Sequence, residues 1–149
     1  MLDLILCVDD DPITLMLCKM VIAKSSFASE IITAQNGEEA LNYFDDLKIN
    51  NLGTEIKKYP SLVFLDLNMP VMDGNEAFKN IYQSYPDVNV IILSQHFEPV
   101  LVENYIARGA KGYLPKDAIM NNEPLLINAI SKVKKGGTFI YEDEKNSES

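Results

Sequence analysis

The sequence predicts an α/β protein built on a doubly wound parallel sheet of five strands with helices on both faces. Three observations predict it. Short β-branched runs alternate with stretches of helical period. Most of the runs are almost continuously apolar, as in strands buried on both faces by helices, and lack the alternation of a half-exposed antiparallel sheet. The residues able to do chemistry stand where the runs end: Asp9, Asp10 and Asp11 after the first, Asp66 closing the third, Ser94 after the fourth and Lys116 after the fifth. In an open parallel sheet every carboxyl end lies along one edge, so these residues would converge in one crevice near the topological switch point.

The first strand is Leu2 to Val8, and Asp11 followed by Pro12 then places a cap residue before a proline at the first helical turn. The second strand is Glu30 to Ala34, after which Asn36-Gly37 opens the helix that begins Glu38-Glu39-Ala40-Leu41. Lys48 to Tyr59, with its Asn50-Asn51-Leu52-Gly53 turn material, reads as a surface connection to the third strand, Leu62 to Asp66. Asp73-Gly74 is a turn signal, and the aspartate can cap a helix beginning near Asn75. Val88 to Leu93 and Lys111 to Leu114 are the fourth and fifth strands. The last helix is capped by Asn121 or Asn122, carries Leu126, Ile130 and Val133 on one face and stops at Gly136-Gly137. Thr138 to Tyr141 reads as a short extension. One domain, residues 1–141, is expected, with residues 142–149 as a mobile polar tail.

Composition narrows the class of function. A chain of 149 residues, 47% hydrophobic and 23% charged, fits one ordinary folded domain. Twenty-two acidic against thirteen basic residues leave a net charge of -9, which repels nucleic acid and anionic membranes and suits a divalent cation or a basic partner. Direct nucleic-acid binding by this chain is therefore not expected. Runs such as Ser61 to Leu65 fall far short of the ~20 apolar residues that span a bilayer. No basic segment precedes an apolar stretch at the N-terminus, and Cys7 and Cys18 both lie in apolar patterns, as small buried residues in a reducing compartment do. A cytoplasmic location is expected, without membrane association.

Three carboxylates gathered at one sheet edge repel each other unless a divalent cation binds them. Hard oxygen ligands in small number favour Mg²⁺ that keeps several waters. One aspartate among those ligands, flanked by the metal and a lysine, could attack phosphorus and form an acyl phosphate while the cations neutralise the equatorial oxygens. The chemistry indicated is phosphoryl transfer.

The segments Leu4-Ile5-Leu6-Cys7-Val8-Asp9-Asp10-Asp11-Pro12, Phe64-Leu65-Asp66-Leu67-Asn68-Met69-Pro70-Val71-Met72-Asp73-Gly74, Leu93-Ser94 and Gly112-Tyr113-Leu114-Pro115-Lys116 resemble response-regulator receiver domains of two-component signal transduction, including chemotaxis regulators. The resemblance runs from about Leu4 to Gly137. It implies a flavodoxin-like sheet in the order 2-1-3-4-5. It makes Asp66 the phosphoacceptor, Asp10 a direct Mg²⁺ ligand, Asp9 a ligand through water and the backbone carbonyl of Asn68 a further ligand. Lys116 would pair with the phosphoryl oxygens, Ser94 would donate its hydroxyl to them, and Tyr113 would turn inward as Ser94 moves. The surface that reports the change would be Glu98 to Ala107, Lys111 to Leu114 and Asn122 to Lys135, the fourth helix, fifth strand and fifth helix of the family.

The implied partners are a histidine kinase or phosphotransfer protein on the input side and a downstream protein or an output domain on the other, with dimerisation on phosphorylation left open. The sequence departs from the family at Gln95, where a small residue is usual, and at Asp117, where proline is common, while His96 stands two positions beyond Ser94 at the crevice mouth. Gln95 and His96 are therefore candidates for tuning the rates of phosphate gain and loss. Two rival readings stay open. One is a Mg²⁺-dependent phosphatase or phosphotransferase with an aspartyl nucleophile, against which Asn68 stands where such enzymes place a general acid. The other is an interaction module that works without phosphorylation. Asp11 is read as a helix cap in preference to a third ligand.

Overall fold

The computed structural model describes residues 2–25, 28–50, 59–67, 74–95, 98–121 and 123–141. Among them six parallel strands form one sheet in the order β2-β1-β3-β4-β5-β6. The strands are β1 (Leu2–Val8), β2 (Ala28–Ala34), β3 (Leu62–Asp66), β4 (Asn89–Ser94), β5 (Gly112–Pro115) and β6 (Phe139–Ile140). The five expected strands are all present in the expected order, and the short extension after the last helix adds a sixth. That two-residue strand pairs with the β5 edge, Gly112 opposite Phe139 and Tyr113 opposite Ile140.

Helices α1 (Pro12–Ser25), α2 (Gly37–Asn50), α3 (Gly74–Ser84), α4 (Pro99–Ala107), α5 (Lys116–Asn121) and α6 (Glu123–Lys134) connect the strands. Alternate strand residues feed two separate cores. Leu6, Val8, Val63, Leu65, Val90, Ile92 and Tyr113 pack under Phe44 of α2, Phe78 and Ile81 of α3 and Val102 and Tyr105 of α4. On the opposite face Ile5, Cys7, Phe64, Ile91, Leu93 and Leu114 pack under Cys18 and Ile22 of α1, Ile119 of α5 and Leu126 and Ile130 of α6. Cys7 and Cys18 are free thiols in this second core. The neighbouring Cys18 thiol and burial hold the Cys7 thiol above its usual range, so it serves as packing.

Local signals account for most element ends. At the start of α1, Asp11 Oδ1 accepts the Ile13 amide at 3.1 Å and Asp11 Oδ2 accepts the Thr14 hydroxyl at 2.9 Å. Asn36 Oδ1 accepts the Glu39 amide at 2.8 Å and caps α2. Both α4 and α6 close on glycines at positive φ, Gly109 at 110° and Gly136 at 90°. The amide of Gly136 bonds Val133 O and that of Gly137 bonds Lys132 O, while Gly109 and Ala110 bond Ile106 O and Tyr105 O in the same pattern. No helix among the described residues is long and apolar enough to cross a membrane.

One expectation about extent needs correction, and one helix is additional. Lys48 to Asn50 belong to α2 and not to a connection, while residues 51–58 lie outside the described residues. The short helix α5, turning directly out of β5 at Lys116, is an element not expected from the sequence, while the expected last helix is α6, which starts at Glu123 with Pro124 in its first turn. Asn122, one of the two residues expected to cap that helix, lies outside the described residues, as do Asp73 and the expected tail from Glu142 on.

Asp11 gives a prediction about the fold. The Thr14 hydroxyl and, after it, the Ile13 amide hold its carboxyl below the usual carboxylate range. A depressed folded-state pKa stabilises the fold at every pH above the unfolded value and loses that contribution as pH falls through the folded value. Asp11→Ala is expected to cost about 1 kcal/mol at neutral pH and nothing once acid has protonated both states. Urea unfolding at neutral and acid pH measures the difference.

Candidate functional site

The carboxyl ends of β1, β3, β4 and β5 bring Asp9, Asp66, Ser94 and Lys116 to one edge of the sheet. Register fixes their relation: Val8 lies opposite Leu65, Asp66 opposite Leu93 and Ser94 opposite Pro115. Asp66 is fully buried at 0% exposure, Ser94 and Asp9 nearly so, and Lys116 is 7% exposed, whereas Asp10 is exposed at the mouth. Four polar side chains buried at one edge contrast with the apolar strands that carry them.

Lys116 joins the carboxylates. Its Nζ lies 3.0 Å from Asp9 Oδ1, 2.9 Å from Asp9 Oδ2 and 3.0 Å from Asp66 Oδ2. Burial alone would lower the ammonium's pKa, but its hydrogen bonds to Asp9 and Asp66 and their charges outweigh it and raise the value above the usual lysine range. A raised folded-state pKa favours the fold below the unfolded lysine value, so Lys116 is a cation throughout the neutral range. Asp9 Oδ1 also accepts the Asp11 amide at 2.9 Å, which turns the chain from β1 into α1.

One lysine does not balance three acids. Carboxylate oxygens of Asp9, Asp10 and Asp66 lie within 4.8 Å of one another. Asp9 Oδ2 is buried and accepts no hydrogen bond among the described residues, its contact being the Lys116 ion pair. An all-oxygen set with residual negative charge and an open mouth suits Mg²⁺, so the residues present fit the metal that the sequence implies.

The Ser94 side chain is hydrogen-bonded to the Tyr113 hydroxyl. Tyr113 is fully buried in the core beneath α2, α3 and α4, its ring tilted against Tyr105 at 6.1 Å between centroids. Burial pushes its phenol up, the Ser94 bond acts downward and the Glu98 charge acts upward again. The aromatic expected to move is thus turned inward here. Gln95 is exposed just beyond Ser94. Asn68 and His96 lie outside the described residues. Asp11, as read from the sequence, caps α1 through Ile13 and Thr14. Sequence reasoning missed Gly74, whose amide bonds Leu67 O at 3.0 Å behind Asp66; the Asp73-Gly74 pair signalled a turn but not this close approach.

Comparison with known proteins agrees with the geometry. The sequence profile described as "Response regulator receiver domain" matches residues 5–130. The transcriptional regulatory protein DegU of Brevibacillus brevis is 38% identical over 87 residues, 58% of this chain and 36% of that protein. The chemotaxis protein CheY of Thermotoga maritima is 30% identical over 133 residues, 88% of this chain and 97% of that protein. The chain spans 36% and 44% of the length of DegU and of LnrK from Bacillus subtilis, two transcriptional regulators that it matches. In fold it is similar to the isolated REC domain of RcsB from Salmonella enterica serovar Typhimurium, with a TM-score of 0.78 at 19% identity over 95% of each chain. A profile matched along most of the sequence, on a sheet of the order expected for it, places the chain in the response-regulator receiver domain family of two-component signalling.

Proposed function

We propose that Asp66 accepts a phosphoryl group from a histidine kinase or phosphotransfer protein, and that the chain acts as a switch and not as an enzyme on external substrates. The observation that carries this reading is the meeting of the buried Asp66 carboxylate with the Lys116 ammonium 3.0 Å away, beside Ser94 and the acidic pair. An oxygen of Asp66 forms the P–O bond as the P–N bond to the donor's imidazole breaks, and the imidazole leaves with that electron pair. Lys116 shifts to the incoming phosphoryl oxygens, and Ser94 donates its hydroxyl to one of them. Asp9, Asp10 and Asp66 would hold Mg²⁺, with the Asn68 carbonyl as a further ligand by resemblance. When bound, the metal neutralises charge gathering on the phosphoryl oxygens.

Ile13, Met16 and Met20 form an exposed apolar ridge along α1 beside this edge, which suits docking of the phosphoryl donor. The output face is α4, β5 and α6, where engagement of Ser94 would favour the inward packing of Tyr113 over any outward one and bias recognition by a downstream protein or output domain. The cytoplasm is the compartment that fits such a donor.

Mg²⁺ is expected to raise the thermal midpoint, and beryllofluoride, a phosphoryl mimic, to raise it further in the presence of Mg²⁺. A ligand at a hundred times its Kd contributes about 2.7 kcal/mol. Absence of any response to beryllofluoride across a Mg²⁺ titration sinks the reading.

A further inference from the structure

Arg108 caps the C-terminal end of α4 and reaches side chains of α3 and of α4 itself. Its Nη1 donates to Asn75 Oδ1 at 2.8 Å and to Asn104 Oδ1 at 3.5 Å. Its guanidinium lies 4.9 Å from the centroid of the Tyr105 ring and 5.2 Å from that of Phe78. The Tyr105 hydroxyl donates to the same Asn75 Oδ1 at 3.1 Å. One amide oxygen in the first turn of α3 therefore collects a cation and a phenol from α4 and its cap.

Both ends of this cluster touch the site. Asn75 follows Gly74, whose amide binds the carbonyl of Leu67, the residue after Asp66. Tyr105 packs edge-on against Phe78 at 5.6 Å and tilts onto Tyr113 at 6.1 Å. Gly109 at φ 110° completes the α4 end, so the backbone presents Arg108 without an alternative helical continuation. The guanidinium is held by planar stacking and by directed hydrogen bonds at once, an arrangement that an ammonium cannot reproduce.

We propose that Arg108, Asn75 and Tyr105 form a latch that fastens α4 to α3 and keeps Tyr113 packed inward before any phosphoryl group arrives. The latch is a positioning device and rests on the reading of Asp66 as phosphoacceptor. Its consequence is quantitative: a ligand that selects the inward arrangement binds more tightly when that arrangement is already populated, and more weakly by the lost fraction when it is not.

The test combines 3-fluorotyrosine ¹⁹F NMR, with the Tyr113 signal assigned by Tyr113→Phe, and titration of beryllofluoride in saturating Mg²⁺. Without the analogue, the wild-type Tyr113 signal should be that of a buried ring. Arg108→Ala and Asn75→Ala should each add a solvent-exposed Tyr113 signal and weaken beryllofluoride roughly five- to tenfold. The double variant should be no weaker than the weaker single one, and Arg108→Lys should behave as Arg108→Ala. Buried Tyr113 signals with wild-type analogue affinity in both single variants, or effects that add, overturn the latch. If Arg108→Ala does not fold, Tyr105→Phe, which removes one hydroxyl, carries the same two readouts. Failure of the wild type to bind beryllofluoride overturns the phosphoacceptor reading instead, and the Tyr113 signals still decide whether the latch exists.

Discussion

Asp66→Asn is expected to abolish phosphoryl acceptance and the response to beryllofluoride while making the metal-free protein more stable. The two effects have one cause. Asp66 is a fully buried carboxylate in a group of three acids served by one lysine, so its ionised form carries both a desolvation cost and repulsion from Asp9 and Asp10. Asparagine keeps the shape and removes the charge. Lys116 retains Asp9, which it meets through both carboxylate oxygens at 3.0 and 2.9 Å, so the substitution leaves no unpaired cation. A gain of about 1–2 kcal/mol, seen as a rise of roughly 4 °C in the thermal midpoint, should accompany complete loss of the phosphoryl adduct by mass spectrometry. Retained phosphorylation would move the acceptor elsewhere. A fall in stability would mean that the Asp66–Lys116 attraction exceeds the repulsion it offsets.

Most of this arrangement was legible in the sequence for a physical reason. Strands buried on both faces must be largely apolar, so β3 and the Leu4 to Val8 part of β1 stand out as runs whose ends, Asp66 and Val8, fall where the chemistry begins. The crossovers then force Asp9, Asp66, Ser94 and Lys116 to one edge whatever their distance along the chain. What could not be read is of two kinds. Helix α5 and strand β6 have six and two residues, too few for any periodicity to register. The Arg108–Asn75–Tyr105 cluster joins residues some thirty positions apart through side-chain geometry, and no local pattern distinguishes Arg108 from an ordinary charge at the end of a helix. Tyr113 was legible only through the family resemblance, since an aromatic in a strand is unremarkable in itself, and the structure adds that its ring is fully buried against Tyr105.

The second large effect is expected at Gly74, a residue that does no chemistry. A methyl group there would fall 2.5 Å from Leu67 Cα and 2.8 Å from the Asp66 carbonyl carbon, and closer still to the Asp66 carbonyl oxygen. Every one of these neighbours is backbone, so no side-chain rotation relieves the clash. Asp66 itself has little room to yield, because β3 is paired on one side with β1 and on the other with β4 up to Leu93. The displacement therefore passes to α3, whose Ala77, Phe78 and Ile81 are buried in the core it shares with α2 and α4. Overpacking against rigid backbone, with loss of the Gly74 amide bond to Leu67, is expected to cost about 3 kcal/mol and to lower the thermal midpoint by roughly 10 °C. Because Asn75 moves with Gly74, beryllofluoride affinity in Gly74→Ala should fall by more than in Asn75→Ala, in which α3 stays in place. Urea unfolding and analogue titration of the two variants side by side measure both differences. Equal stability of Gly74→Ala and wild type would show that α3 can retreat from Asp66 at no cost, and that the glycine is not what holds the phosphoacceptor strand and its flanking helix in contact.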